Sequence, residues 1–234
     1  MNNFDILENK RKHIRRYSDR VPDKEIIDRI LWKSWKTSPS KNNAMPYEIN
    51  VWGPDKRGEK IKIHSLCVRN HRNVEEKAAD DKLSVHSYEY IHKGAQNPDY
   101  EHIKLNPYLF TIHSRLSKPN KFYQKKIEIE THFFDQQYES YINRIIDSVA
   151  VEVGLFAQNF TNYALEEGLD ISYNSCFKRD PKLWHELGLP IKYRPILMIT
   201  CGYGELYRRQ DLKDKNKMPE EDRKPDSKDI IKWI

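Results

Sequence analysis

Cysteine pairs, metal-ligand motifs and long apolar runs are missing from this sequence of 234 residues. The three cysteines, Cys67, Cys176 and Cys201, are odd in number, widely spaced and without a CxxC pair. This pattern argues against a disulfide framework and against a structural zinc site, and it fits a reducing compartment. The nine histidines show no HExxH spacing, so we expect surface residues and no metal ligands.

Membrane and export signals are also missing. No run reaches the roughly 18 apolar residues that a membrane span requires. Residues 1–12 are polar and lack the apolar core of a secretory signal peptide. There is no internal repeat and no low-complexity tract. We therefore expect a cytoplasmic protein with no membrane partner.

The composition favours one folded domain spanning residues 1–234. The length suits a single sizeable α/β domain, and aromatic residues at 12% argue against disorder. The 41 basic and 35 acidic residues leave a net charge of +6. A mixed, solvated surface explains this surplus; a phosphate-bearing ligand is the second interpretation and nucleic acid the third.

Apolar periodicity predicts helices that alternate with short strands. Helices are expected over 2–16 (short and basic), from Val21-Pro22-Asp23 to just before Ser38, over Glu59–Arg72, over Lys125–Glu167 with a break near Asn143, and over Pro181–Leu187. Strands are expected at Tyr47–Trp52, Pro107–His113, Ile196–Thr200 and Asp229–Ile234, with a loop containing some helix over 73–105 and a charged segment over 205–228.

Two of these helices have a clear apolar face. The second helix should bury one side, formed by Ile26, Ile27, Ile30, Leu31 and Trp35. The stretch after Asn143 carries a wide apolar stripe typical of a helix at the centre of a domain or dimer. Gly168 is a natural C-terminal stop for that helix.

Four short segments contain residues suited to ligand chemistry. Residues 11–16 are rich in Arg, Lys and His, and arginine forks match phosphate oxygens, although a solvated helix end has the same composition. Residues 38–47 lie between a helix and a strand, where α/β folds place ligands, but Ser, Pro and Asn are also ordinary turn residues. Residues 168–177 and 222–225 are equally compatible with plain connections.

Together and in this order, the four segments resemble the nitroreductase family. Its Arg-Arg-Ser-x-Arg-x-Phe and Val-Pro are matched by Arg11–Tyr17 and Val21-Pro22, and its Pro-Ser-Ser-x-Asn-x-Gln-Pro-Trp by Pro39–Tyr47. The family's central helix pattern, Asp-x-Gly-x-Ala-x-Gln-Asn-Leu, is matched by Glu152–Phe160. Gly168-Leu169, Gly202-Tyr203 and Arg223-Lys224-Pro225 match later motifs, while the region from about 55 to 140 diverges.

The resemblance implies a three-layer α/β (α+β) fold with a central, mostly antiparallel sheet flanked by helices. It implies a homodimer with two FMN sites at the subunit interface and with Asp229–Ile234 exchanged as an added strand. The basic residues would hold the phosphate and ribityl chain, Ser40 and Asn43 the ring edge, and a backbone N–H near Ser175 and Cys176 would face flavin N5. The implied cofactor residues are Arg11, Lys12, His13, Arg15, Ser40, Asn43, Asn97, Tyr173, Asn174, Ser175, Cys176 and Arg223.

The departures from the family pattern leave the site cationic. His13 replaces a Ser, Lys41 replaces the second Ser of its motif, and Met45 replaces a Gln. Ser175-Cys176 replaces a frequent acidic-Gly pair. Because the contact to N5 uses the backbone, this last change is expected to matter little.

The implied activity is hydride transfer from NAD(P)H to FMN and then to a nitroaromatic, a quinone or another conjugated acceptor. Phe133, Phe134 and Tyr138 fall in the divergent region and form a candidate aromatic cover for this acceptor, with packing in a helix core as the simpler explanation. The alternatives are reductive dehalogenation, dehydrogenation or flavin breakdown on the same fold, a flavin-binding protein with little turnover, and a basic nucleic-acid-binding module.

Overall fold

A computed structural model describes residues 11, 14–40, 43–67, 101–115, 138–207 and 227–231. The side chains of 15, 101–102, 138–148, 206–207 and 228 are not included in that description. The elements, in chain order, are β1 Ile14–Tyr17, α1 Lys24–Thr37, β2 Tyr47–Trp52, α2 Arg57–Ser65, α3 Glu101–Leu105, β3 Tyr108–Ser114, α4 Tyr138–Glu166, β4 Asp170–Asn174, α5 Pro181–Glu186, β5 Pro195–Gly202, β6 Gly204–Tyr207 and α6 Ser227–Ile230.

The main sheet has four strands in the order β2-β3-β5-β4, and every pairing is antiparallel. Side chains on neighbouring positions of a strand point to opposite faces of a sheet. Along β3, Phe110 and Ile112 therefore enter one apolar core, while Leu109 enters the other. Helices cover both faces, which confirms the predicted three-layer arrangement.

The larger core lies between the sheet and helices α1 and α4. Ile27 and Ile30 of α1 meet Phe156 and Phe160 of α4 over this face. Phe110 of β3 packs edge-on against Phe160, with ring centroids 4.8 Å apart. The α4 helix is therefore the element that joins the sheet to α1.

The smaller core lies on the opposite face, under α2, α3 and α5. Trp184 of α5 is fully buried there against Phe177. Lys60 of α2 is also buried, and its Nζ donates to the carbonyl oxygens of Asn106 (2.7 Å) and Pro107 (2.8 Å). Burial lowers the pKa of Lys60 to about 8. These bonds tie α2 to the start of β3.

A second, two-stranded sheet joins the N-terminal segment to the end of the β5 strand. β1 pairs antiparallel with β6. The hydroxyl of Tyr17 in β1 is buried and bonds to the carbonyl oxygen of Thr200 at 3.0 Å. Gly202 lies beside this contact, where any Cβ would fall 2.8 Å from the Pro107 ring. The glycine is required here by close packing.

Several sequence-based expectations are wrong. Residues 14–16 form a strand, not a helix, because pairing with β6 outweighs local propensity. Residues 205–207 belong to that partner strand and are not part of a charged tail. Helix α4 continues through Asn143 without a break, since Asn costs only a fraction of a kcal/mol within a helix. The expected helix over Glu59–Arg72 begins at Arg57 and ends at Ser65.

Two further corrections concern exposure and the C-terminus. Trp35 is 53% exposed, because Ser34 occupies the buried position in the last turn of α1. Asp229 and Ile230 lie in a helical turn, closed by the bond from Ile231 N–H to the Ser227 oxygen at 2.7 Å. Over Asp229 and Ile230 this turn replaces the predicted strand. Residues 232–234 of that strand lie outside the described part of the chain, and the exchange of the segment between subunits stays a prediction.

His113 of β3 makes stability depend on pH. The imidazole is 1% exposed, so the expectation of surface histidines is wrong for this residue, and its Nε2 lies 4.0 Å from Glu48 Oε1. Burial is the largest cause and lowers the pKa of His113. The unfolded chain, with a histidine pKa of about 6.5, therefore binds a proton at a higher pH than the folded chain does.

Stability should therefore fall as pH drops below about 6.5 and through the folded pKa of His113. Thermal unfolding between pH 8 and pH 5 checks this expectation. The variant His113→Gln, which does not titrate in this range, should lose less stability than the wild type over the same interval. Parallel curves for the two proteins would contradict the assignment.

In the part of the chain that the structure describes, no helix is both long and apolar enough to cross a membrane.

Candidate functional site

Helix α4 has one face that the rest of the described chain leaves uncovered. Val151 is 64% exposed and Leu155 is 42% exposed, although both are apolar. Gly154 and Gln158 are exposed beside them, and a Cβ at Gly154 would have no neighbour within 4 Å. The spacing of three and four residues places these positions on one stripe of the helix. This exposed stripe of α4 is the centre of the candidate site.

The loop between α1 and β2, described over residues 38–40 and 43–46, is attached along one border of the exposed stripe. Ser40 Oγ donates to Glu152 Oε2 at 2.7 Å, and Asn159 Nδ2 donates to Ser38 Oγ at 3.1 Å. Glu152 and Asn159 are seven residues apart, which is about two helical turns. The loop therefore follows the helix axis along this border.

The backbone of this loop is held in an unusual conformation. Asn43 and Met45 have φ values of 52° and 44°, in the left-handed region that L-residues rarely adopt. Met45 N–H donates to Ser40 Oγ at 2.8 Å. Arg115 Nε donates to the Met45 carbonyl oxygen at 2.7 Å. These bonds offset the cost of the left-handed residues and fix the loop shape.

Strand β4 is attached to the other side of α4. Tyr173 Oη donates to the carbonyl oxygen of Ala157 at 2.8 Å and also contacts the hydroxyl of Thr161. Around the helix, Ala157 and Thr161 lie about 140° and about 180° from Glu152. Leu155 and Gln158 fall in the remaining arc. The loop and the end of β4 therefore flank the exposed stripe from opposite sides.

The positive charge of Arg11 acts on the pKa of Tyr173. Burial is the main cause that raises the pKa of Tyr173, while the bond to Thr161 and the positive charge of Arg11 act in the opposite direction. Arg11 itself is exposed. The sequence resemblance placed both residues at the cofactor site, and this placement stays a prediction.

The residues after Tyr173 divide into internal and exposed ones. Asn174 is 5% exposed, and its Oδ1 accepts the N–H of Cys176 at 2.7 Å. Its Nδ2 donates to Cys67 Sγ at 3.5 Å. Ser175 and Cys176 are exposed. Burial raises the pKa of the Cys67 thiol to about 12, so Cys67 is not an activated nucleophile.

These contacts give several of the predicted cofactor residues a structural task. The side chains of Tyr173 and Asn174 bond within the protein, and the N–H of Cys176 is engaged by Asn174. Ser40 and Asn43 lie in the loop beside the exposed stripe, with Asn43 exposed. Met45, which replaces the family's Gln, packs against the larger core.

Other predicted site residues lie outside the described part of the chain. For Arg15 and Tyr138 the backbone is described, in β1 and at the start of α4, but the side chain is not. The remaining ones, of which neither backbone nor side chain is described, are Lys12, His13, Asn97, Phe133, Phe134 and Arg223.

Three residues of the site were not predicted from the sequence. Glu152 is 7% exposed and carries a carboxylate on an otherwise apolar side of α4, which was the available signal. Arg115 directly follows a strand and gave no signal. Tyr47 packs on Phe156 with ring centroids 5.6 Å apart. Burial and then Glu152 raise the pKa of Tyr47 to about 12, against the opposing charge of Arg115.

Within the described residues, no cluster of three or more His, Cys, Asp or Glu side chains is arranged to hold a metal ion. The functional groups described at this site are hydroxyls, amides, a carboxylate and guanidinium groups. Such groups bind and orient a ligand by hydrogen bonds and charge.

Comparison with solved structures shows many proteins of the same fold. A nitroreductase-family protein from Streptococcus pneumoniae TIGR4 has a TM-score of 0.63 at 16% identity, over 99% of this chain and 100% of that one. A nitroreductase from Exiguobacterium sibiricum 255-15, solved in complex with FMN, has a TM-score of 0.58 at 15% identity, over 100% and 98% of the two chains.

A third similar structure is a variant of NfnB, described as an FMN- and NADPH-dependent nitroreductase, derived from Sphigopyxis sp. strain HMH. Its TM-score is 0.60 at 14% identity, over 100% of this chain and 99% of that one. A search of curated proteins gave no match. The family model described as "Nitroreductase family" matches residues 9–203, which is most of the sequence. By this match, the chain belongs to the nitroreductase family.

Proposed function

We propose that this protein is an FMN-dependent oxidoreductase that passes hydride from NAD(P)H to a nitroaromatic, quinone or other conjugated acceptor. Membership of the nitroreductase family makes flavin redox chemistry the general class. The three cysteines are free thiols, which fits work in the reducing cytoplasm.

The observation that carries this proposal is the position of the two flavin-contacting segments that the family resemblance implied. The loop with Ser40 and the strand end with Tyr173 are fastened to opposite borders of one exposed apolar stripe. A flat ligand bound at either border lies next to that stripe. A site of this kind is incomplete on its solvent side until a second surface covers it.

A second copy of the chain is the cover that we propose. An apolar stripe with Val151 and Leu155 is suited to a symmetric dimer, in which α4 packs on its own copy. Gly154 within the stripe lets two helices approach closely. In such a dimer the loop of one copy comes near the β4 end of the other, which gives two equivalent sites at the interface.

The residues fit the parts of FMN. Arg11, whose positive charge acts on the pKa of Tyr173, supplies a guanidinium for the phosphate. Because the N–H of Cys176 already bonds to Asn174, we assign the contact to flavin N5 to the N–H of Ser175. The loop with Ser40 and Asn43 borders the ring edge. When bound, the flavin supplies the hydride chemistry, and these residues bind and orient it.

The acceptor is a small conjugated molecule in this proposal, and Phe133, Phe134 and Tyr138 form its aromatic cover. The nucleic-acid-binding alternative gains no support from the described residues: the exposed stripe is apolar, whereas nucleic acid requires a basic surface.

The direct test is the colour and reactivity of the purified protein. We expect a yellow protein that releases FMN on denaturation and whose flavin is bleached by NADH or NADPH without oxygen. A quinone should then restore the oxidised spectrum. A colourless protein that binds no added FMN would refute the proposal. Bound FMN that neither nicotinamide reduces would favour one of the other flavin reactions.

The phosphate assignment predicts a selective loss in the variant Arg11→Ala. A hydrogen bond to a charged group is worth about 1.5–3 kcal/mol, so FMN should bind roughly 10–100-fold more weakly. Riboflavin lacks the phosphate, and its affinity should stay unchanged. Titration of both ligands into wild type and variant checks this. An equal loss for the two ligands, or none for either, would contradict a phosphate contact.

The double variant Arg11→Ala, Arg223→Ala should lose FMN altogether.

A further inference from the structure

The hydroxyl of Ser40 makes two hydrogen bonds, and together they decide whether it can donate to a ligand or only accept from one. It donates its proton to Glu152 Oε2 at 2.7 Å and accepts the N–H of Met45 at 2.8 Å. A serine hydroxyl has one proton to donate and two lone pairs to accept with. The donor and one lone pair are therefore used inside the protein, and one lone pair remains for a ligand.

Glu152 fixes the direction in which the Ser40 hydroxyl donates its proton. Ser40 Oγ donates to Glu152 Oε2, and because a carboxylate oxygen accepts hydrogen bonds, the proton of Ser40 points toward it. Glu152 is 7% exposed and sits on the rigid helix α4, which favours a constant geometry. A hydrogen bond to a charged group is about twice as strong as one between neutral groups. The arrangement therefore keeps the hydroxyl from turning its proton toward a ligand.

The loop around Ser40 cannot easily rearrange so that the hydroxyl proton turns toward a ligand. Asn43 N–H donates to the Ser40 carbonyl oxygen at 3.0 Å. Arg115 holds the Met45 carbonyl oxygen at 2.7 Å. With Asn43 and Met45 both in left-handed conformations, the backbone is fixed on either side of the turn.

We propose that Glu152 is a positioning residue that makes Ser40 an acceptor and so selects a ligand N–H at this point. This inference rests on the proposed FMN site. The ring edge of oxidised flavin carries a single N–H, at N3, while its neighbouring oxygen and nitrogen atoms only accept. Ser40 is therefore matched to N3–H and mismatched to a ring that lacks this proton.

The test compares FMN with 3-methyl-FMN, in which the N3 proton is replaced by a methyl group. Wild type should bind the methylated ligand at least about 10-fold more weakly, because a lost hydrogen bond leaves Ser40 unpaired. In Glu152→Gln the side-chain amide can donate to Ser40 Oγ, which frees the hydroxyl proton of Ser40 to point elsewhere. The preference for FMN over 3-methyl-FMN should then fall to a few-fold. In Ser40→Ala it should fall similarly.

The ratio of the affinities for FMN and 3-methyl-FMN distinguishes a change in the hydrogen-bonding role of Ser40 from a general disruption of the loop. A loop that is merely disordered weakens both ligands equally and leaves the ratio unchanged. The control is Glu166→Gln, the same substitution at an exposed position of the same helix, which should keep the wild-type ratio. A wild-type ratio in both Glu152→Gln and Ser40→Ala would overturn the role of Glu152 while leaving FMN binding intact. A wild-type protein that binds neither flavin would overturn this inference together with the proposed function.

Discussion

Replacing Leu155 by Arg is expected to convert the proposed dimer into a folded monomer that no longer retains FMN. Leu155 is 42% exposed in the single chain, so the longer charged side chain can extend into solvent without disturbing the core. In a symmetric interface both copies carry the new charge at the same contact. Burying an unpaired charge costs several kcal/mol, and about 4 kcal/mol weakens association about a thousandfold.

Analytical ultracentrifugation gives the mass of the variant, and absorbance gives its flavin content. The matched control is Ile61→Arg in α2, which replaces another exposed apolar side chain, here 50% exposed, on a different helix. Ile61→Arg should remain dimeric and yellow. If Leu155→Arg sediments as a dimer with bound FMN, the exposed stripe is not the subunit interface. Far-UV circular dichroism should show the same helix content in all three proteins.

Gly202→Ala is expected to destabilise the fold more than any exposed substitution. A Cβ at Gly202 would lie 2.8 Å from Cδ and Cγ of Pro107 and 3.0 Å from Cδ1 of Tyr17. The carbonyl group of Pro107 is held by Lys60 at 2.8 Å, and the hydroxyl of Tyr17 is held by Thr200 at 2.8 Å. Neither neighbour can withdraw without breaking a buried hydrogen bond.

The expected cost is about 1–3 kcal/mol, as for other overpacked core positions. In a domain of this size the midpoint of thermal unfolding should fall by roughly 2–12 °C. Gly58→Ala is the control, since a Cβ there meets no atom within 4 Å and Ala favours a helix by up to about 1 kcal/mol. Equal midpoints for Gly202→Ala and wild type would show that the contact of β5 with β1 and β3 is looser than described.

The sequence predicted best where a single element had its own signal. The alternation of Tyr47–Trp52 and the apolar run at Ile196–Thr200 gave the strands that the structure contains. Asp23 and Ser38 mark the ends of α1 as expected. Gly168, with a φ of 74°, lies just after the last turn of α4, where the sequence predicted the helix to stop. These signals are local, because capping, turn formation and burial periodicity depend on nearby residues.

The sequence failed where a distant segment decides the structure. Residues 14–16 were expected at the end of a short basic helix, but β6 supplies their hydrogen-bond partners from almost two hundred positions away. Trp35 has the spacing of the apolar stripe of α1, yet the packing of α1 on α4 leaves its side chain exposed to solvent. Apolar spacing shows that a side is buried but not how far around the helix the burial extends.

For the site, the family resemblance identified the segments but not the tasks of their residues. Ser40 was expected to line a ring edge, and the structure adds that its proton is committed to Glu152. Asn174 was expected beside the cofactor, and both ends of its amide group bond within the protein. Hydrogen-bond partners far apart in sequence have no local pattern, so these roles could not be predicted.

By itself, the sequence determined the class of fold and the family and indicated the segments of the proposed site, because these depend on apolar periodicity and on short motifs with fixed spacing. Only the tertiary structure decided that the loop with Ser40 and the end of β4 flank one exposed stripe of α4. The physical reason is that the side chains of Glu152 and Thr161 point to opposite sides of a helix, and what reaches each side is set by how the sheet and loops pack around it.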